Sequence, residues 1–180
     1  MRISIIGTAG RKEAAPLMTV DLYRLMIKSA MYQVDKYDTG AEGTLVSGGA
    51  AWSDHLAISL FKKKIRPSLH LHLPAELDFP NNRFSEKTRD GGIANYYHRQ
   101  FSQKIGVDTL KSICNIVQET YCTYDVSSGF FARNRLVGDC DVLIAYTWGE
   151  GNQPADGGTL NTWKSSYAPI KVHIPLSQSR

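Results

Sequence analysis

Asp141-Val142-Leu143-Ile144-Ala145-Tyr146 is the stretch on which the fold turns. Five apolar residues follow one acid without alternation, the pattern of a strand covered by helices on both faces. Parallel strands need long crossover connections, and those crossovers supply the covering helices. Working outward, strands are predicted at about 2–6, 44–47, 68–73 and 170–174. Helical spacing is read at 16–37, where Leu22, Leu25, Met26, Met31 and Val34 recur, and again at 52–64, 93–105, 108–119 and 129–137. A short helix closes near 166. Strand and helix alternate, so the expected class is α/β: one domain, 1–180, with a doubly wound, mostly parallel sheet of about five strands and helices on both faces. The segment 74–92 has no period and is rich in Pro, Asn and Gly, which reads as a loop or lid insertion.

The bulk numbers restrict the function classes. With 42% hydrophobic and 21% charged residues in 180, the chain lies outside the disordered class. Cys114, Cys122 and Cys140 form an odd set without CxxC spacing, which argues for reduced thiols, a cytoplasmic setting and no structural zinc. The apolar run Ile3–Ile6 stops at Gly7, too short for a signal segment, and no window reaches a membrane span. The net charge of +4 owes much to Lys62-Lys63-Lys64. Cations at a predicted helix C-terminus complement the helix dipole, so a nucleic-acid partner is disfavoured.

In an open parallel sheet, ligands bind beyond the carboxyl ends of the strands. Three glycine turns fall at such ends: Gly7-Thr8-Ala9-Gly10, Ser47-Gly48-Gly49-Ala50 and, one loop beyond its strand, Gly157-Gly158-Thr159. Glycine lets backbone approach an anion, and a following helix N-terminus adds free N–H groups. Each turn alone is equally a plain tight turn; their recurrence points to one phosphate site. The G-x-G-x-x-G and G-x-x-x-x-G-K-[ST] patterns are both lacking, so ordinary dehydrogenase and P-loop readings lose their support.

Ser47-Gly48-Gly49-Ala50-Ala51-Trp52-Ser53-Asp54, Arg133-Asn134-Arg135-Leu136-Val137 leading into the Asp141 strand, and Gly157-Gly158-Thr159 together resemble the SLOG superfamily. That group holds the Rossmann domain of DNA-processing protein A and the LONELY GUY phosphoribohydrolases. The resemblance runs in order over about 1–175, although 74–127 matches nothing nameable. It implies a Rossmann-like fold, a nucleotide or nucleotide-derived ligand such as an ADP-ribose or cyclic nucleotide derivative, and a homodimer or larger homo-oligomer. The hydrolase branch carries an acid after its last glycine turn. Here Asn161 and Thr162 stand in its place, and neither does the work of a carboxylate.

The ligand-binding candidates are therefore Gly7, Thr8, Ala9, Arg11, Ser47, Gly48, Gly49, Asp54, Arg133, Arg135, Gly157, Gly158 and Thr159. Arginine suits phosphate through bidentate contacts, and Asp54 suits a ribose or base but equally a helix start. His70 and His72 share one face of a strand, yet no carboxylate or cysteine stands with them in sequence, so they read as a core or interface pair and no metal is expected. Tyr96, Tyr97, His98, Phe130 and Phe131 read as packing ahead of base stacking. The expected function is a binding module that senses, carries or sequesters a nucleotide-type molecule, with no cofactor. The alternatives are a nucleotide N-glycosidase or deoxyribosyltransferase drawing its acid from Asp54, Glu150 or Asp156, and a nucleic-acid-binding accessory domain.

Overall fold

The computed structural model describes residues 1–154 and 157–178. It is an α/β fold around one parallel sheet. The elements in chain order are β1 (Arg2–Gly7), α1 (Val20–Tyr37), β2 (Thr44–Ser47), α2 (His55–Lys62), β3 (Ser68–Leu73), β4 (Leu77–Asp78), β5 (Arg83–Phe84), α3 (Arg89–Ile105), α4 (Thr109–Ile116), β6 (Cys122–Val126), α5 (Phe130–Val137), β7 (Val142–Thr147), α6 (Gly157–Ser165) and β8 (Ile170–Pro175). The six-stranded sheet runs β6-β3-β2-β1-β7-β8, with every neighbouring pair parallel. The chain builds outward from β1 to β6, then returns to place β7 against the other side of β1. The strand order reverses there, and a crevice opens beyond the ends of β1 and β7.

Alternation along each strand sorts the side chains to two faces. Ile3, Ile5, Leu45, Leu69, Leu71, Leu73, Val142, Ile144 and Tyr146 point into one core, filled from above by Leu22, Met26, Leu56, Ile58, Phe101 and Ile113 of α1 to α4. The opposite face is thinner: Ile6, Leu143 and Ala145 meet Val137 of α5 and Trp163 of α6. Helix starts follow capping chemistry. Thr19 accepts from the Leu22 N–H, Thr88 from Gly91 and Asp108 from Lys111, each satisfying a first-turn donor that the helix itself leaves unpaired.

In the larger core, Phe101 is wholly buried and packs its ring edge-on to Tyr23 at 4.9 Å and to His55 at 5.4 Å, and tilted against Trp52 at 4.4 Å. Trp52 has φ of 63°, a strained conformation for a bulky residue, and the aromatic packing holds it there. His98 is also wholly buried. Its Nε2 lies 2.9 Å from the Gly49 carbonyl and its Nδ1 2.9 Å from Thr109 Oγ1.

Two sequence expectations need correction. The sheet has a sixth strand, β6, which pairs only with β3 and so sits at an edge. Its five residues lack the apolar run that marks a central strand, because Thr123 and Tyr124 remain exposed. The segment 74–92 is not a structureless lid. β4 and β5 form an antiparallel ribbon, and Asn95 of α3 holds the Phe84 N–H and carbonyl at 2.9 Å each, as a neighbouring strand would. Phe84 is wholly buried, which anchors the ribbon to the body of the protein.

Candidate functional site

β1 ends at Gly7, and the first turn leaves the sheet there. A Cβ on Gly7 would lie 2.0 Å from the Tyr146 carbonyl and within 2.8 Å of the Ser53 side chain, so only glycine fits. The Thr8 N–H donates to the same Tyr146 carbonyl at 2.8 Å, and Thr8 Oγ1 accepts from the Gly10 N–H at 3.1 Å. The Thr8 hydroxyl thus shapes the turn itself. Across the crevice, Thr159 Oγ1 donates to the Gly7 carbonyl at 3.1 Å, which ties the start of α6 to the first turn.

Between these pieces lies a cleft of about 920 Å³. It is lined by Gly7, Thr8, Ala9, Arg11, Asp54, Arg133, Gly157, Gly158 and Thr159 from among the sequence candidates. The structure therefore brings the first and third glycine turns to one place. Of the second, only Ala50 reaches it. Ser47, Gly48 and Gly49 are buried beneath the cleft and do not line it. Ser47 Oγ donates to the Asp54 carbonyl at 2.7 Å and accepts from the Gly49 N–H at 3.1 Å. A Cβ on Gly48 would fall 2.3 Å from Arg133 Cζ. The space that Gly48 leaves open holds the arginine, in place of the expected phosphate, and its carbonyl accepts from Arg133 Nη1 at 2.8 Å.

Arg133 is buried on the first turn and a half of α5 and lies 3.4 Å from Asp54 Oδ2 through Nη1. Asn134 Oδ1 accepts from its Nη2 at 2.8 Å and from its Nε at 3.2 Å. Asp54 immediately precedes α2 and is likewise buried, with Oδ2 3.4 Å from the Ala50 N–H. Burial pushes its carboxyl above the ordinary carboxylate range, while the Arg133 guanidinium and the backbone N–H groups of Ala50 and Gly7 pull it back down. The site floor is thus a buried carboxylate and guanidinium held side by side.

At the mouth, Arg11 is exposed and its guanidinium lies over the Tyr97 ring at 4.7 Å and the Phe130 ring at 5.6 Å. Asp90 of α3 accepts from the Phe130 N–H at 3.0 Å, fixing the start of α5 against the cleft. Phe131 lines the cleft although 77% exposed, and so is not the packing residue the sequence suggests. Tyr96 is exposed and Tyr97 holds Arg11, while His98 is core.

The remaining candidates fall elsewhere. Arg135 is exposed on α5 and does not line the cleft, because two residues along a helix turn a side chain away from its predecessor. Glu150 is exposed and also outside the lining, and Asp156 lies outside the described residues. No residue of 74–92 lines the cleft either. Sequence reasoning missed Lys12, Asn134 and Trp148, which do. Asn134 had a signal, since it adjoins Arg133; Lys12 and Trp148 follow strand ends where any residue type reaches the crevice.

Among the described residues, no helix is long and apolar enough to cross a membrane. No family model matches the chain, and no solved structure matches it. A protein of Acanthamoeba polyphaga mimivirus, described as uncharacterized, is 35% identical over 182 residues, spanning 98% of this chain and 97% of its own length.

Proposed function

The chain belongs to the same family as that mimivirus protein, and for this member of it we propose a binding module for a nucleotide or nucleotide-derived molecule of the kind held by SLOG domains. The observation that carries the reading is the meeting of Gly7-Thr8-Ala9 and Gly157-Gly158-Thr159 with Arg11 and Arg133 around one cleft at the strand-order reversal. Backbone N–H groups at a helix start and two guanidinium groups suit phosphate. Phe130, Phe131 and Trp148 offer flat apolar surface for a base. The volume is within the range that encloses a small molecule.

A thermal-shift and native-mass screen against mononucleotides, NAD, ADP-ribose and cyclic nucleotides tests the proposal. A ligand at 100 times its Kd adds about 2.7 kcal/mol to stability. Arg11→Ala removes a cleft cation and is expected to weaken binding about tenfold, while loss of its contacts with Tyr97 and Phe130 costs the unliganded protein no more than about 1 kcal/mol. Absence of any shift at millimolar concentrations of every compound would refute the reading.

A second reading rests on Asp54. A buried carboxyl raised above its ordinary range, within the cleft, has the character of a general acid for N-glycosidic cleavage. Chromatography of nucleotide mixtures after incubation would then reveal free base, and Asp54→Asn would abolish it. An unchanged nucleotide profile removes this alternative.

A further inference from the structure

A histidine pair lies on the thinner face of the sheet, outside the cleft. β3 carries His70 and His72 on one side, and its register with β6 sets Thr123 beside His70 and Asp125 beside His72. Both imidazoles converge on a single oxygen: His70 Nε2 lies 3.1 Å and His72 Nδ1 2.8 Å from Asp125 Oδ2. The three ligand atoms fall within 4.8 Å of one another. Atoms bound to zinc at about 2.0–2.2 Å sit roughly 3.3–3.6 Å apart in a tetrahedron, so small side-chain shifts would place an ion between them.

Three further features suit a cation. Thr123 Oγ1 lies 2.7 Å from His70 Nδ1, the outer-shell hydrogen bond that fixes a ligating imidazole and leaves Nε2 for the metal. Among the described residues no lysine or arginine pairs with Asp125, so the charge of this carboxylate is met only by two imidazoles. The Asp125 side chain is 45% exposed at the sheet edge, which gives an ion a path from solvent.

We propose that His70, His72 and Asp125 form a site for a divalent transition metal of the zinc class, with a fourth position open to water. Two imidazoles and a carboxylate favour such ions over calcium or magnesium, which take oxygen-rich sets. The ion would clamp edge strand β6 to β3 immediately before the loop that leads to α5 and the cleft.

The test uses the full chain, stripped with chelator and titrated with Zn²⁺ in competition with a chromophoric chelator. One ion per chain is expected at micromolar concentration. His70→Ala and Asp125→Asn should each weaken it at least 100-fold, Thr123→Val about 10-fold, and Cys140→Ser not at all. Substitution of the unaltered chain with Co²⁺ gives a reading independent of variant folding: ligand-field bands of a nitrogen and oxygen set, without thiolate charge transfer. No retained Zn²⁺, retention that survives either His70→Ala or Asp125→Asn, or a thiolate band would overturn the proposal.

Discussion

α1 to α4 cover one face of the sheet and α5 and α6 the other, and the two faces differ in how far their polar groups are closed off from solvent. Under α1 to α4, His55 and His98 are sealed among aromatic rings, and burial lowers the proton affinity of both. Under α5 and α6, the strands present Ser4 and His72, both buried, with the proton affinity of His72 lowered as well, and the face opens to solvent only toward edge strand β6, at Thr123 and Asp125. A thick apolar layer excludes water and forces its polar groups to be neutral or paired. A thin one leaves room for solvent and, at its rim, for ligands. The cleft draws on both sides: α5 and α6 supply Arg133, Asn134 and Thr159, and the turn before α2 supplies Ala50 and Asp54.

The comparison breaks most visibly in the thick core. Phe101→Ala is expected to cost about 3–5 kcal/mol, because the aromatic cluster around it cannot collapse into the gap. Urea unfolding measures this, and a loss below about 1 kcal/mol would show that the layer is not a close-packed core. A smaller effect comes from acid. Folded His98 titrates at about 4, while an unfolded histidine titrates near about 6.5. Between those values the unfolded chain takes up the proton and the folded chain does not. Stability is therefore full above about 6.5, falls as pH drops through the window, and from this group loses at most about 3 kcal/mol. Thermal melts from pH 7 to 4 should show that slope, flattened in His98→Gln, with residual acid loss from His55 and His72, whose proton affinities burial also lowers. A His98→Gln melt profile as steep as that of the unaltered protein would contradict the sealed environment.

The thin face should yield the smallest change. Ser4 Oγ donates to the Val137 carbonyl at 2.6 Å, joining β1 to the end of α5. Ser4→Ala removes a neutral hydrogen bond, worth about 1 kcal/mol, and should leave the acid dependence of stability unaltered. A loss as large as that of Phe101→Ala would mean that the two faces are equally close-packed.

The central strands and long amphipathic helices were legible from periodicity because each records burial directly: β3 begins and ends where predicted, and β7 differs by one residue. Edge strand β6 was not, since one side of its hydrogen-bonding ladder and half its side chains face water. With that strand went Asp125, which is 53 residues from His72 in sequence and 2.8 Å away in space. The same holds for the cleft. Glycine turns at strand ends were readable one by one, but the sequence has no means of showing that Gly48 is kept small by Arg133, 85 residues on. Local spacing determined which segments are strands and helices, and hence the layered α/β class, because periodicity is set by backbone geometry alone. Strand order decided the rest: it brought the first and third turns together, set a guanidinium over Gly48 of the second, and placed two imidazoles against one carboxylate, since contacts between distant segments depend on packing that no short window of sequence contains.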